Sequence, residues 1–291
     1  MSARPDWAID GRDWPNRAAS RFVKHGGLNW HVQMDGSGPV VLLLHGTAAA
    51  THSWRGLLPL LAQHFTVVAP DLPGHGFTDA PVASAMTLPA MAKAVGGLLA
   101  ELDVTPDLVV GHSAGAAIAI RMTLDGIVRP RALVGINAAL MPFPGIAAQI
   151  FPPLARLLAL NPFMPHLVAW TANDRTRVRR LIEGTGSRID AVGLDCYARL
   201  FATRRHADAA LRMMANWDLQ RFARDLPALT CPLLLIVGTH DRAVPPGDAD
   251  RIAKIARDTI IVRLPGGHLL HEERPDPVVD AILQLSKAPV R

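Results

Sequence analysis

Leu108-Val109-Val110-Gly111-His112-Ser113-Ala114-Gly115-Ala116-Ala117-Ile118 is the stretch that decides the fold. An apolar, β-branched run leads into Gly-His-Ser-Ala-Gly, and an alanine-rich helical run follows. That is the strand, sharp turn and helix of a nucleophile elbow. A serine raised above a sheet on a strained turn brings neighbouring backbone very close. Gly111 and Gly115 leave room where a Cβ would collide. The N–H of Ala114, at the first turn of the helix, can face a developing oxyanion. The five-residue pattern alone is common by chance. The strand before it, the helix after it and its downstream partners give it weight.

The chain of 291 residues allows one large α/β domain, or a core of about 200 residues with an insertion. Apolar content of 49% against 19% charged residues indicates a well-buried globular protein. Cys196 and Cys231 offer no disulfide framework and no metal cluster, and both read as reduced structural residues. The first seven residues lack a basic region followed by an apolar one, and no run of about 18 apolar residues occurs. A cytoplasmic protein without a spanning helix is therefore expected. Between Ala139 and Trp217 lie ten arginines, no lysine and five acids, so this segment carries the whole net charge of +5. No nucleic-acid module accompanies it, and no nucleic-acid partner is expected.

Residues 1–20 are polar and turn-rich, and read as an arm on the surface. Arg21–Lys24 and Leu28–Met34 read as an antiparallel hairpin. Val40–Leu44, Thr66–Ala69, the elbow strand that starts at Leu108 and Ala132–Ile136 then alternate with helical stretches, near Trp54 and at Leu88–Leu102 among others. Continuous apolar strands alternating with helices predict a doubly wound, mostly parallel sheet. The alternation stops for about eighty residues and resumes with strands Leu233–Val237 and Thr259–Leu264, a helix around Asp248–Ala256 and a last one at Pro277–Leu285. The fold class is thus α/β, with an all-helical cap at 139–217 inserted between two parts of a core, 1–138 and 218–291.

A serine hydroxyl needs a base to take its proton, and the base needs an acid to fix its tautomer. Asp241 follows one strand and His268 follows the next, in the Gly-rich loop Pro265-Gly266-Gly267, both at the sheet edge where such folds bind ligands. Asp248 and Asp250 read as cap or surface charges. His271 is one helical step from His268, but no third metal ligand is evident, and it reads as a structural hydrogen-bonder. Thr47, after the strand expected beside the elbow, is the candidate second oxyanion donor with Ala114, and Ala48 is its possible substitute. His45, His75 and His112 read first as loop braces, although His45 and His112 are also kept as candidate substrate contacts.

Together His45-Gly46, Asp71-Leu-Pro-Gly-His-Gly76, Gly111–Gly115, Gly238–Asp241 and Gly267-His268 resemble the α/β-hydrolase superfamily across nearly the whole chain. The resemblance implies the α/β-hydrolase fold, acyl transfer to Ser113 and hydrolysis of an ester, thioester or amide. Branches with an aspartate nucleophile open epoxides or remove halogens, and Ser113 argues against those. Thr51-His-Ser-Trp54, Gly184-Thr-Gly-Ser187 and Met213-Met-Ala-Asn-Trp-Asp-Leu219 are similar to the magnesium-chelatase accessory branch of bacteriochlorophyll synthesis. That branch implies a role around magnesium insertion into protoporphyrin, with chelatase subunits as partners. One departure is Ala48-Ala49-Ala50, where a second glycine is common.

The cap carries the specificity. Phe143 to Trp170 is very apolar, Pro-broken and charged only at Arg156. It reads as a helical lid, or as a pocket wall that also touches a membrane surface. Arg175, Arg177, Arg179 and Arg180 follow, a solvated helix face or the partner of peripheral carboxylates on a flat ligand such as a tetrapyrrole. Phe143, Trp170, Arg177 and Arg180 are the candidate substrate contacts. Met213, Met214 and the tryptophans read as core. No cofactor or metal is assigned. Two functions stay open: a serine hydrolase acting on a hydrophobic ester, and a tetrapyrrole-binding accessory protein with an idle triad.

Overall fold

Alternate residues of the central strands point to opposite faces of one sheet, and both faces are covered. The computed structural model describes residues 4–82, 85–142, 161, 163–171 and 174–287. Eight strands run in the order β1 (Ser20–His25), β2 (Leu28–Asp35), β4 (Thr66–Pro70), β3 (Val40–Leu44), β5 (Leu108–His112), β6 (Ala132–Ile136), β7 (Leu233–Gly238) and β8 (Thr259–Leu264). Only the pairings of β2 are antiparallel; from β4 to β8 every pair is parallel. This is the doubly wound sheet the alternation predicts, and the three strand ranges 40–44, 132–136 and 259–264 match the sequence reading to the residue.

Leu42, Leu44, Val109, Leu133 and Leu235 pack on one face against the helices Leu88–Glu101, Ala114–Leu124 and Asp248–Ala253. Val41, Leu43, Val110, Val134 and Ile236 pack on the other against Leu57–Leu61 and Pro275–Lys287. The helix expected near Trp54 is a 3-10 turn, Thr51–Trp54, followed by the short Leu57–Leu61. Between β6 and β7 the described residues form helices Met164–Thr171, Arg175–Gly184, Ala191–Phe201, Arg204–Ala215 and Leu219–Asp225. Asp174, Asp190 and Asp218 cap three of them by accepting N–H bonds in the first turn. Among the described residues no helix is long and apolar enough to cross a membrane.

Three expectations are sharpened. The N-terminal arm is docked rather than laid on the surface: Trp14 is buried and donates Nε1–H to Thr51 Oγ1 at 3.0 Å, and Trp7 stacks edge-on against Phe22 and Phe77. Met213 is core, but Met214 is half exposed. Cys196 is buried and Cys231 partly so, both are free thiols, and burial pushes them up to about 12 and about 11.

Parallel strands deliver their carboxyl ends to one edge, so polar residues collect there. Asp71, just past β4, is fully buried and accepts three bonds: His31 Nδ1–H at 2.8 Å, Thr51 N–H at 2.7 Å and Phe77 N–H at 2.9 Å. Burial would raise its carboxyl, but His31 and these donors win and hold it below the usual carboxylate range. Asp71→Ala leaves an imidazole and two amides without their acceptor. It is expected to cost about 3–5 kcal/mol at neutral pH, measured as a shift of the urea midpoint at unchanged slope.

Candidate active site

The site begins with a strained residue. Ser113 sits at φ 49, ψ −115, between the fully buried β5 and the helix Ala114–Leu124. Such a backbone costs about 1–3 kcal/mol and persists only where its surroundings enforce it. Ser113 N–H donates to Ile136 O at 3.0 Å, and Ser113 O accepts Ala139 N–H at 3.1 Å. A Cβ on Gly115 would stand 1.9 Å from Leu44 O, and one on Gly111 would stand 2.3 Å from Ala116 N. Gly115 is therefore fixed by the closeness of the helix to the end of β3, and Gly111 by the closeness of that helix to the strand before it, as the sequence predicted.

Asp241 and His268, the candidate acid and base, meet across the ends of β7 and β8. His268 Nδ1–H donates to Asp241 Oδ2 at 2.8 Å, and Asp241 Oδ1 accepts the N–H of Ala243 at 2.7 Å and of Val244 at 2.9 Å. Both Asp241 oxygens are thus engaged, and its side chain is 1% exposed. With the proton held on Nδ1, Nε2 of His268 is the basic nitrogen. No described residue takes up that nitrogen or the Ser113 hydroxyl. The Ser113–His268 bond is the one contact of the set not made in this structure.

Thr47 and Ala114 both keep a backbone N–H that no described residue accepts. The loop after β3 is held in shape from several sides. Ala48 stands at φ 64, a left-handed conformation that costs an alanine about 1–2 kcal/mol. His206 Nε2–H donates to Ala48 O at 3.1 Å, while His206 Nδ1 accepts Gly76 N–H at 3.1 Å. Met213 Sδ lies 3.5 Å from Thr47 Oγ1.

The two histidines kept as substrate contacts are corrected. His45 is fully buried, donates Nδ1–H to Gly46 O and accepts Leu72 N–H at Nε2, which leaves no ring nitrogen for a ligand. His112 is also buried; its Nε2–H donates to His268 O at 2.9 Å, so it holds the base's backbone. His271 is not a hydrogen-bonder: it is buried against Trp54 and His112, and neither ring nitrogen has a partner. No group of three or more described His, Cys, Asp or Glu could hold a metal ion.

Asn137, at φ 44 past β6, went unread in the sequence. Its Nδ2 donates to Gly267 O and His268 O, both at 2.8 Å, and its Oδ1 accepts Gly238 N–H at 2.6 Å. The signal was an asparagine at a strand end, where φ > 0 is tolerated. Arg55 is a second unread centre. It pairs with buried Glu272, which accepts Tyr197 O–H at 2.7 Å, and with Asp190 at 3.0 Å. Burial pushes Glu272 up to about 6 against the pull of Arg55.

The substrate contacts proposed for the insertion divide. Phe143 lies outside the described residues, as does the side chain of Trp170, whose backbone belongs to Met164–Thr171. Arg177 pairs with Asp174 on its own helix, and Arg180 is exposed. Arg179 and Arg188 line one cleft, beside Ile182, Glu183, Ser187, Ile189 and Leu194, in a volume of about 260 Å³.

A strained serine after β5, an aspartate after β7 and a histidine after β8 lie along the carboxyl edge of a doubly wound sheet. The α/β-hydrolase family model matches residues 41–281, and the chain belongs to that family. It is 42% identical over 273 residues to the magnesium-chelatase 30 kDa subunit of Rhodobacter capsulatus, spanning 93% of this chain and 95% of that one. Haloalkane dehalogenase 2 of Mycobacterium tuberculosis is 27% identical over 87% of this chain and 90% of its own. A putative lipase structure from Acinetobacter baumannii shares the fold with TM-score 0.79 at 19% identity, covering 98% of this chain and 97% of that chain.

Six fully buried histidines near this edge, His45, His52, His75, His112, His206 and His271, are lowered, chiefly by burial. The unfolded chain titrates them near pH 6.5. The stability they allow is thus present above that value and falls as acidification lets the unfolded state bind protons. Each is expected to contribute up to about 1.4 kcal/mol per pH unit. In urea titrations between about pH 7.5 and about pH 5, His271→Phe is expected to flatten the slope by about one proton.

Proposed function

We propose that the protein is a serine hydrolase that cleaves a hydrophobic carboxylic ester, working beside magnesium chelatase in bacteriochlorophyll synthesis. The observation that carries the chemistry is the 2.8 Å His268–Asp241 bond, with the His268 carbonyl tied to His112 next to the strained Ser113. The chelatase setting is supported by the 42% identical relative, a magnesium-chelatase 30 kDa subunit.

In this scheme His268 Nε2 takes the Ser113 proton as Oγ attacks the acyl carbon, and Asp241 stabilises the imidazolium. The N–H groups of Thr47 and Ala114 hold the negative oxygen of the tetrahedral intermediate. His268 returns its proton to the departing alcohol, leaving an acyl group on Ser113. Water then repeats the sequence and releases the acid. The Ser113–His268 bond forms in the complex, where such bonds tighten. Residues 139–217 serve as the cap, with 1–138 and 218–291 forming the core around it.

A fluorophosphonate probe is expected to label Ser113 in the native protein and not in Ser113→Ala. Asp241→Asn is expected to keep the fold and lower kcat on short aryl esters by about 10⁴. A native protein that stays unlabelled would overturn the hydrolase assignment.

The cleft beside Arg179 and Arg188 favours a second function, a tetrapyrrole-binding accessory protein with an unused triad. An apolar wall beside guanidiniums suits a flat ligand with peripheral carboxylates. In a fluorescence titration with protoporphyrin, Arg179→Ala with Arg188→Ala is expected to weaken binding about tenfold, or about 1.4 kcal/mol. Unchanged affinity rejects the cleft. Chelatase stimulation that survives in Ser113→Ala would favour this second function over the first.

A further inference from the structure

The loop that carries His268 contains two consecutive glycines, Gly266 and Gly267, and so has little stiffness of its own. Something outside the loop must hold it, because a base displaced by about 1 Å loses of the order of 10² in rate. On one side Asn137 and His112 hold the carbonyls of Gly267 and His268. The other side is held by three consecutive residues of the segment between β6 and β7.

Thr185 O accepts the N–H of Arg242 at 3.0 Å and that of His268 at 3.4 Å. Ser187 Oγ accepts Leu269 N–H at 2.8 Å and lies 3.1 Å from Thr185 Oγ1, and Ser187 is fully buried. Gly186 stands at φ +86, where a Cβ would be 2.0 Å from His240 O. A Cβ on Gly267 would likewise be 2.3 Å from Gly186 C. One tripeptide thus touches residues on both sides of the acid, His240 and Arg242, and Gly267, His268 and Leu269 around the base.

We propose that Thr185-Gly186-Ser187 is a positioning latch that sets the Asp241–His268 geometry from the helical insertion. The residues between β6 and β7 then do more than bound the substrate space. They decide whether the base is in place, so displacement of the helix Arg175–Gly184 and loss of the acid–base pair are one event. The kinetic consequence rests on the serine-hydrolase assignment; the geometric one does not.

Ser187→Ala removes the acceptor of Leu269 N–H without adding bulk. A crystal structure of the variant is expected to show the Nδ1–Oδ2 separation opened beyond about 3.5 Å or the 266–269 loop in more than one conformation. Ester turnover is expected to show kcat lowered about 10- to 100-fold with KM within about twofold, since Ser187 bonds the loop that carries the base. Ser187→Cys, close in volume but a weak acceptor, replaces it if the alanine variant does not fold, with the same result expected. An Asp241–His268 pair still at 2.8 Å in a single conformation overturns the latch. If the wild type turns over no ester, the hydrolase assignment fails and that separation alone decides the latch.

Discussion

The N-terminus of the helix Ala114–Leu124 comes so near the end of β3 that position 115 has no room for a side chain. That approach fixes much else. It places Ser113 above the sheet, brings the Ala114 amide beside the loop of Thr47, and holds the serine in a conformation it would not choose alone. The parallel sheet supplies the rest by collecting the ends of five more strands along the same edge. The chemistry of the site is therefore a property of backbone packing first and of side chains second.

Around this edge the protein trades solvation for internal partners. Asp71 replaces water with an imidazole and two amides. His45 and His206 each use one nitrogen as donor and the other as acceptor, which defines their neutral tautomers. Arg55 joins three parts of the chain through Glu272, Asp190 and the carbonyl of His52. Such groups are expensive to bury and destabilising to leave half-paired, which favours a single arrangement of the loops they connect.

The parts legible in the sequence were those governed by local rules. Continuous apolar runs gave the strands, and strand-end position brought Ser113, Asp241 and His268 to one edge, where Asp241 and His268 are bonded. The braces were illegible for a shared reason. Asn137 meets Gly267 and Gly238 about a hundred positions away, and His112 donates to a carbonyl 156 residues on. Nothing in the residues flanking Asn137 or Arg55 announces those partners. The arginines misled for the opposite reason: a run of like residues suggested a common purpose, whereas Arg175 and Arg177 answer to Asp195 and Asp174. His271 looked like a polar anchor by residue type and is used as a ring.

Trp54 gains a further use from that last packing. It is fully buried, and its indole lies 4.7 Å from the imidazole of His271, in the short helix Leu270–Glu273 that follows the base. An indole's emission is sensitive to the polarity and quenching groups within a few ångströms of it. With the other five tryptophans replaced, Trp54 would serve as an intrinsic optical reporter behind the candidate base, signalling movement of the 266–273 segment without a label.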